Sequence, residues 1–120
     1  MFYYLSKEKT VLYNGDESSE NVTSTVLINS VPNEIYNELI VKLREVKIDI
    51  LSRISEIEYS PNDRYKDRFL MFMSDGNYVY ITLEKITTIN KYLDIVKYIN
   101  PDQKGVIKLD SGQYFEEFNN

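Results

Sequence analysis

The side chains best suited to acid–base or metal chemistry in this chain are carboxylates, because it contains no histidine and no cysteine. The commonest general base and the best thiol nucleophile are therefore missing. A zinc site would need carboxylates alone, which zinc disfavours. Glu56 and Glu58 stand two residues apart, so a strand would place both on one face. Such a pair is the raw material of a glycoside hydrolase, yet acids on the wet face of a strand are ordinary, and that reading is preferred. Asp63 and Asp67 are interleaved with Arg64, Lys66 and Arg68, which makes a solvated loop rather than a calcium or phosphate patch. Gly76 and Gly105 read as turn glycines and form no phosphate loop. No catalytic, cofactor or metal residue is assigned, and no enzyme is expected.

What the chain holds in quantity is tyrosine, eleven among 120 residues. Tyr78, Tyr80, Tyr92, Tyr98, Tyr114 and Phe115 are candidates for a surface that stacks on sugar or meets a protein. Most are accounted for as half-buried sheet residues with wet hydroxyls. The Tyr114-Phe115 pair differs, because a bulky couple close to the last residue caps a core or meets a partner. It lies in the stretch Lys104 to Phe118, which reads as a strand (Val106, Ile107, Leu109), a break at Asp110-Ser111-Gly112, and a second extended piece (Tyr114, Phe115, Phe118). A terminal strand at a sheet edge offers unpaired N–H and C=O groups to another chain. This ribbon is the expected docking edge, and the rest of the chain the body that holds it.

Phe2 to Leu5 and Val11 to Tyr13 flank the charged Ser6 to Thr10 and suggest a hairpin. Asn14-Gly15-Asp16 is a tight turn, Glu17 to Thr25 a polar loop, and Val26-Leu27-Ile28 a short strand. The sequon Asn21-Val22-Thr23 is discounted as a chance match. Pro32-Asn33 opens a helix in which Ile35, Leu39, Ile40, Leu43 and Val46 recur at helical spacing, and Ile48 to Ile54 adds a short helical turn. Ile54 to Tyr59 alternates as a half-buried strand should. Arg68 to Met73 and Tyr78 to Leu83 flank Ser74-Asp75-Gly76-Asn77, the strongest hairpin signal in the chain. Apolar residues on both faces of that pair imply helices on one side and something amphipathic on the other. Glu84 to Asn100 reads as the last helix, with a stripe of Ile86, Ile89, Leu93, Val96 and Ile99, stopped by Asn100-Pro101. The sum is an α+β domain: a mostly antiparallel twisted sheet, two main helices packed on one face, and the C-terminal strand at or near the edge.

Hydrophobic residues are 42% and charged residues 28% of the chain, values of a folded domain rather than a disordered one. The net charge is −5 and basic residues are scattered without a run, so a nucleic acid or an anionic lipid surface is not the expected partner. No apolar run approaches the ~20 residues that cross a bilayer. Met1 leading straight into the strand-like Phe2-Tyr3-Tyr4-Leu5 suggests a single domain, 1–120, cut from a longer chain.

Four segments in order carry a resemblance: Ile54-Ser55-Glu56-Ile57; Met71 to Gly76; Lys91 to Val96; and Lys104-Gly105-Val106-Ile107 through Gly112-Gln113-Tyr114-Phe115. Together, from about Thr10 to Phe118, the sequence resembles the β subdomain of the DivIB/FtsQ bacterial division proteins, in the Gram-positive DivIB style. The resemblance implies a parent with one transmembrane span and a POTRA domain, neither of them in this chain, and a location on the extracellular face of the membrane at the division septum. It implies a non-enzymatic scaffold without cofactors. The implied partners are DivIC/FtsB-like and FtsL-like proteins and the septal transpeptidase complex, with the membrane reached only through the parent's span. In FtsQ-type relatives a partner strand pairs with the final sheet edge beside the last helix. Transferred onto this sequence, that edge involves Leu109, Ser111, Gly112, Tyr114 and Phe115. Two departures stand out. Family members usually carry an acidic or otherwise different residue where Lys108 stands, which reverses the local charge, and often a proline near Asp94, without which the helix there is expected to run straighter. The competing reading is a module that binds peptidoglycan or another wall polymer through its tyrosines.

Overall fold

The computed structural model describes residues 2–5, 10–14, 23–27, 29–112 and 114–118, with side chains from residue 27 onward. Eight strands form one sheet whose spatial order repeats the chain order. They are β1 (Phe2–Leu5), β2 (Thr10–Asn14), β3 (Thr23–Leu27), β4 (Ile54–Tyr59), β5 (Arg68–Met73), β6 (Tyr78–Thr82), β7 (Gly105–Lys108) and β8 (Tyr114–Glu117). Five of the seven pairings are antiparallel, while β3–β4 and β6–β7 are parallel. Parallel neighbours need a long crossover, and the helices supply both. Helices α1 (Asn33–Leu43) and α2 (Ile48–Leu51) join β3 to β4. A 3₁₀ helix, Leu83–Lys91, runs directly into α3 (Tyr92–Val96) and joins β6 to β7. The expected α+β class with a mostly antiparallel sheet is what the chain adopts.

Alternation along the strands sends one apolar set into the core. A single row of cross-strand neighbours, Leu27–Ile57–Met71–Val79–Ile107–Phe115, crosses the core face from β3 to β8. Every member but Phe115 is buried. Leu39 and Leu43 of α1, Ile50 and Leu51 of α2, Leu83, Ile86 and Ile89 of the 3₁₀ helix and Tyr92 of α3 join these residues in one cluster. Each fully buried aliphatic side chain contributes about 1.5–3 kcal/mol before ordering costs. Among the described residues, no helix is long and apolar enough to cross a membrane.

The two crossovers are tied together by one side-chain amide. Asn90 accepts from the Lys47 N–H (2.7 Å) and donates to the Glu45 carbonyl (3.0 Å), satisfying backbone groups where α1 gives way to α2. Asn29 does the same beyond β3, donating to the Tyr59 carbonyl and accepting from the Tyr59 N–H.

Four expectations are corrected. The segment read as one helix over Glu84 to Asn100 begins as 3₁₀. Its buried residues Leu83, Ile86, Ile89 and Tyr92 recur every three residues, the period at which 3₁₀ side chains eclipse. β-Branched Thr87 and Thr88 disfavour the α-helix there, and the Thr88 hydroxyl donates back to the Lys85 carbonyl at 2.6 Å. The polar stretch read as loop up to Thr25 becomes strand at Thr23, where β3 pairs with β2. Gly105 is the buried first residue of β7 rather than a turn glycine. On the second face of the sheet no amphipathic layer appears among the described residues: Phe72, Tyr78 and Tyr80 stay half-buried there. The hairpin of Phe2–Leu5 with Thr10–Asn14 forms as expected. Its turn, the turn at Gly15-Asp16, Asn21 and Val22 of the sequon, and Ile28 lie outside the described residues.

Candidate partner-binding edge and groove

The last strand has β7 on one side and, among the described residues, no strand on the other. Which backbone groups it leaves open follows from parity. Phe118 N–H donates to the Lys104 carbonyl at 2.9 Å. In an antiparallel ladder hydrogen-bonded pairs alternate with non-bonded ones. Glu116 opposite Val106, and Tyr114 opposite Lys108, therefore spend their backbone groups on β7. The N–H and C=O groups of Phe115 and Glu117 point to the open side.

Gly105 sets how closely β8 can approach. It sits opposite Glu117, and a Cβ on it would strike the Glu116 carbonyl and come within 2.8 Å of the Glu117 Cα. Only glycine permits that contact. The start of β7 is fixed by a chain of hydrogen bonds. Gly105 N–H donates to Asn77 Oδ1 (3.0 Å), Asn77 Nδ2 donates to the Tyr92 hydroxyl (3.2 Å), and that hydroxyl donates to Asp75 Oδ2 (2.6 Å). Burial, then the bond to Asp75, pushes the Tyr92 pKa well above its ordinary value of 10.0, so the phenol stays protonated.

The far end of β7 is tied down as firmly. Asp110, 6% exposed, lies 3.6 Å from the Arg68 guanidinium, which stacks 4.2 Å over the Tyr80 ring and donates through Nε to the Ser60 carbonyl. The Lys85 ammonium donates to the Asp110 carbonyl at 3.3 Å. On the wet face Lys108 donates to Glu116 at 2.8 Å. The bond holds the Glu116 carboxyl below, and the Lys108 ammonium above, their ordinary ranges. Lys108 is thus engaged within the ribbon itself.

Beside this edge, on the helical side, runs a groove of about 480 Å³. Ile95, Tyr98 and Ile99 form one wall and Ile107, Tyr114 and Phe115 the other, with Lys91, Asp94 and Gln103 at its rim. Tyr98 is 92% and Tyr114 60% exposed, unusual for rings of that size.

The predicted edge residues divide by depth. Leu109 is buried and its N–H donates to the Tyr80 carbonyl, so it supports the edge from within. Ser111 and Gly112 are exposed in the β7–β8 connection. Gly112 has φ of 145°, and a Cβ there would meet the Tyr114 ring at 2.7 Å. Tyr114 and Phe115 lie on β8 at the groove. The wider tyrosine set splits three ways. Tyr92 is in the core, a correction to its reading as a surface candidate, because its hydroxyl is bonded by the buried Asn77 amide and by Asp75. Tyr98, Tyr114 and Phe115 gather at the groove. Tyr78 and Tyr80 lie on the second face, where Tyr78 packs edge-on against Phe72 (4.7 Å) and Phe118 (5.0 Å). Glu56 and Glu58 also face that side, opposite Phe72 and Leu70. Among the described residues no three potential ligands gather to hold a metal ion. Two residues escaped the sequence reading. Ile95 stands four from Ile99, a spacing that signals a second apolar line on the helix. Glu117 carries no signal of its own, because its significance comes from the edge it sits on.

The described residues thus form a sheet with one face filled by two crossovers and, at its β8 end, a ribbon beside an apolar groove. The solved major extracytoplasmic domain of the division protein DivIB from Geobacillus stearothermophilus, in its trans isomer, shares this fold, with a TM-score of 0.55, 20% identity, and coverage of 83% of this chain and all of that one. In sequence, the cell division protein DivIB of Geobacillus kaustophilus is 32% identical over 91 residues, 75% of this chain and 35% of the relative. The DivIB proteins of Listeria monocytogenes and Bacillus subtilis are 25% and 28% identical over 97% and 96% of this chain, and 44% and 47% of their own lengths. No family model matches the sequence. The chain belongs to the DivIB/FtsQ family of bacterial cell division proteins and spans between about a third and a half of the length of these relatives.

Proposed function

We propose that this chain is a non-enzymatic scaffold domain of the division machinery that works outside the membrane and captures a partner protein by adding a strand to β8. The observation that carries this reading is a one-sided terminal strand whose open backbone groups border an apolar groove. In β-augmentation, main-chain hydrogen bonds supply general affinity and alternate side chains in pockets supply selectivity. Tyr114 and Phe115 meet the incoming strand, Ser111 and Gly112 shape the turn that presents them, and Leu109 anchors it. DivIC/FtsB-like and FtsL-like proteins are the expected partners, with the septal transpeptidase complex assembled through them at the division septum. A strand plus the groove gives an interface of roughly 1,200–1,600 Å².

Titrating isotope-labelled protein with the extracellular segments of a DivIC–FtsL pair tests this. The expected result is amide shifts over residues 105–118 and along Ile95 to Ile99. Shifts confined to the Phe72, Tyr78 and Phe118 face, seen instead with purified wall fragments, would overturn it in favour of wall-polymer binding.

A further inference from the structure

The apolar row that crosses the core face ends at the open edge. Leu27, Ile57, Met71, Val79 and Ile107 are buried, and Phe115, last in the row, is half-buried with its outer flank at the groove. Two residues on, Glu117 shares the side of β8 that Phe115 occupies, since alternate residues of a strand face together. Glu117 stands opposite Gly105, which offers no side chain to meet it. Among the described residues Glu117 forms no ion pair, whereas Glu116, on the other side of the strand, is taken by Lys108. The two residues whose backbone groups point outward are thus the two that carry the unmatched side chains, one apolar and one acidic.

We infer that the edge selects a strand with an apolar residue in register with Phe115 and a lysine or arginine two positions away, in register with Glu117. This rests on the strand-addition reading and names the chemistry of the occupant. The apolar residue extends the row over the groove, where cross-strand neighbours pack at about 4.5–5.5 Å. The basic residue faces a carboxylate with no competitor for it. The i, i+2 spacing holds for parallel and antiparallel addition alike. A second copy of this chain is a poor occupant: β8 is Tyr-Phe-Glu-Glu, so antiparallel self-pairing centred on Glu116 or Glu117 sets acid against acid, which is unfavourable directly across a ladder, and pairing centred on Phe115 brings no basic residue of β8 to Glu117.

Two labelled threonine-rich peptides of strand length with a single central valine, identical but for lysine or glutamate at both the positions two residues before and two residues after it, so that one faces Glu117 in either strand direction, test the inference by fluorescence anisotropy against the full chain. The lysine peptide is expected to bind about two- to fivefold more tightly, a difference of the size exposed ion pairs allow. The preference is expected to invert in Glu117→Lys and to vanish in about 1 M salt, where screening acts over about 3 Å. Equal binding of both peptides, with amide shifts at Phe115 and Glu117, would overturn the charge selection and leave strand addition standing. Failure of both peptides to shift those amides would overturn strand addition as well. A β8-linked dimer of the unmodified protein at neutral pH would assign the edge to a second copy and sink the inference.

Discussion

Tyr92 decides how β7 begins. Its ring fills the core at 1% exposure, and its hydroxyl joins the Asp75–Asn77 turn to the amide of Gly105 through the Asn77 side chain. Tyr92→Phe keeps the ring and leaves Asp75 and Asn77 without that partner. It is expected to cost about 1–3 kcal/mol in urea unfolding, the usual penalty for removing the partner of a buried polar group, here the Asn77 amide. The pH dependence has a defined sign. The folded pKa is raised, so the protonated phenol's contribution is complete below about pH 10, where an unfolded tyrosine begins to ionise, and is lost as pH rises beyond it. The unmodified protein should therefore lose stability above about pH 10 more steeply than Tyr92→Phe. Equal slopes would remove the buried phenol from the account. A tyrosine in sequence looks the same whether its hydroxyl meets water or protein partners such as Asn77 and Asp75, which is why Tyr92 read as a surface candidate. The three-residue spacing from Leu83 was the signal that it belongs inside.

At the scale of elements, the hairpin of β5 and β6 was legible because Ser74-Asp75-Gly76-Asn77 interrupts two alternating runs and little else in chain chemistry does so. The 3₁₀ helix was not, because periods of 3.0 and 3.6 diverge by less than one residue per turn and the stripe from Ile86 satisfies both at first. The two parallel pairings were implicit in strand–helix–strand order and fit the expected mostly antiparallel sheet, yet no local pattern said which strands would be the parallel neighbours. The edge was legible from the ribbon's place in the chain, while the groove beside it needed the angle between α3 and β7, which no local pattern encodes. What keeps β8 on that edge is the approach allowed by Gly105. Gly105→Ala forces the Glu116 carbonyl away and is expected to destabilise by about 1–3 kcal/mol, as overpacking does. The loss should be local: the amides of Glu116 and Phe118 exchange much faster, while those of β5 and β6 keep their protection. Uniform loss of protection would show that β8 is not a separable element.

At the scale of the whole molecule, the proposed strand addition requires β8 to stay open without joining to other copies of the chain. Sheets closed on themselves avoid that hazard, but among the described residues this one leaves β8 unpaired on its outer side, and an available edge is a template for any chain with matching groups. Two features guard it. The chain carries −5 with a pI near 4.8, so copies repel at neutral pH. The edge itself adds Glu117, whose carboxylate no neighbour neutralises among the described residues, whereas Glu116 is matched by Lys108. If these charges, rather than the shape of the edge, prevent self-pairing, removing them by either route should permit it. Sedimentation velocity at pH 7.5 is expected to give a monomer at all concentrations. Near pH 5, where the net charge approaches zero, association that grows with concentration is expected. Glu117→Thr, which leaves the Lys108–Glu116 pair intact and supplies a residue suited to strands, should associate already at pH 7.5. A monomeric Glu117→Thr would mean that β8 is guarded by geometry, and any association at pH 5 would then have to be traced to another surface, of which the outer side of β1 is the first to examine.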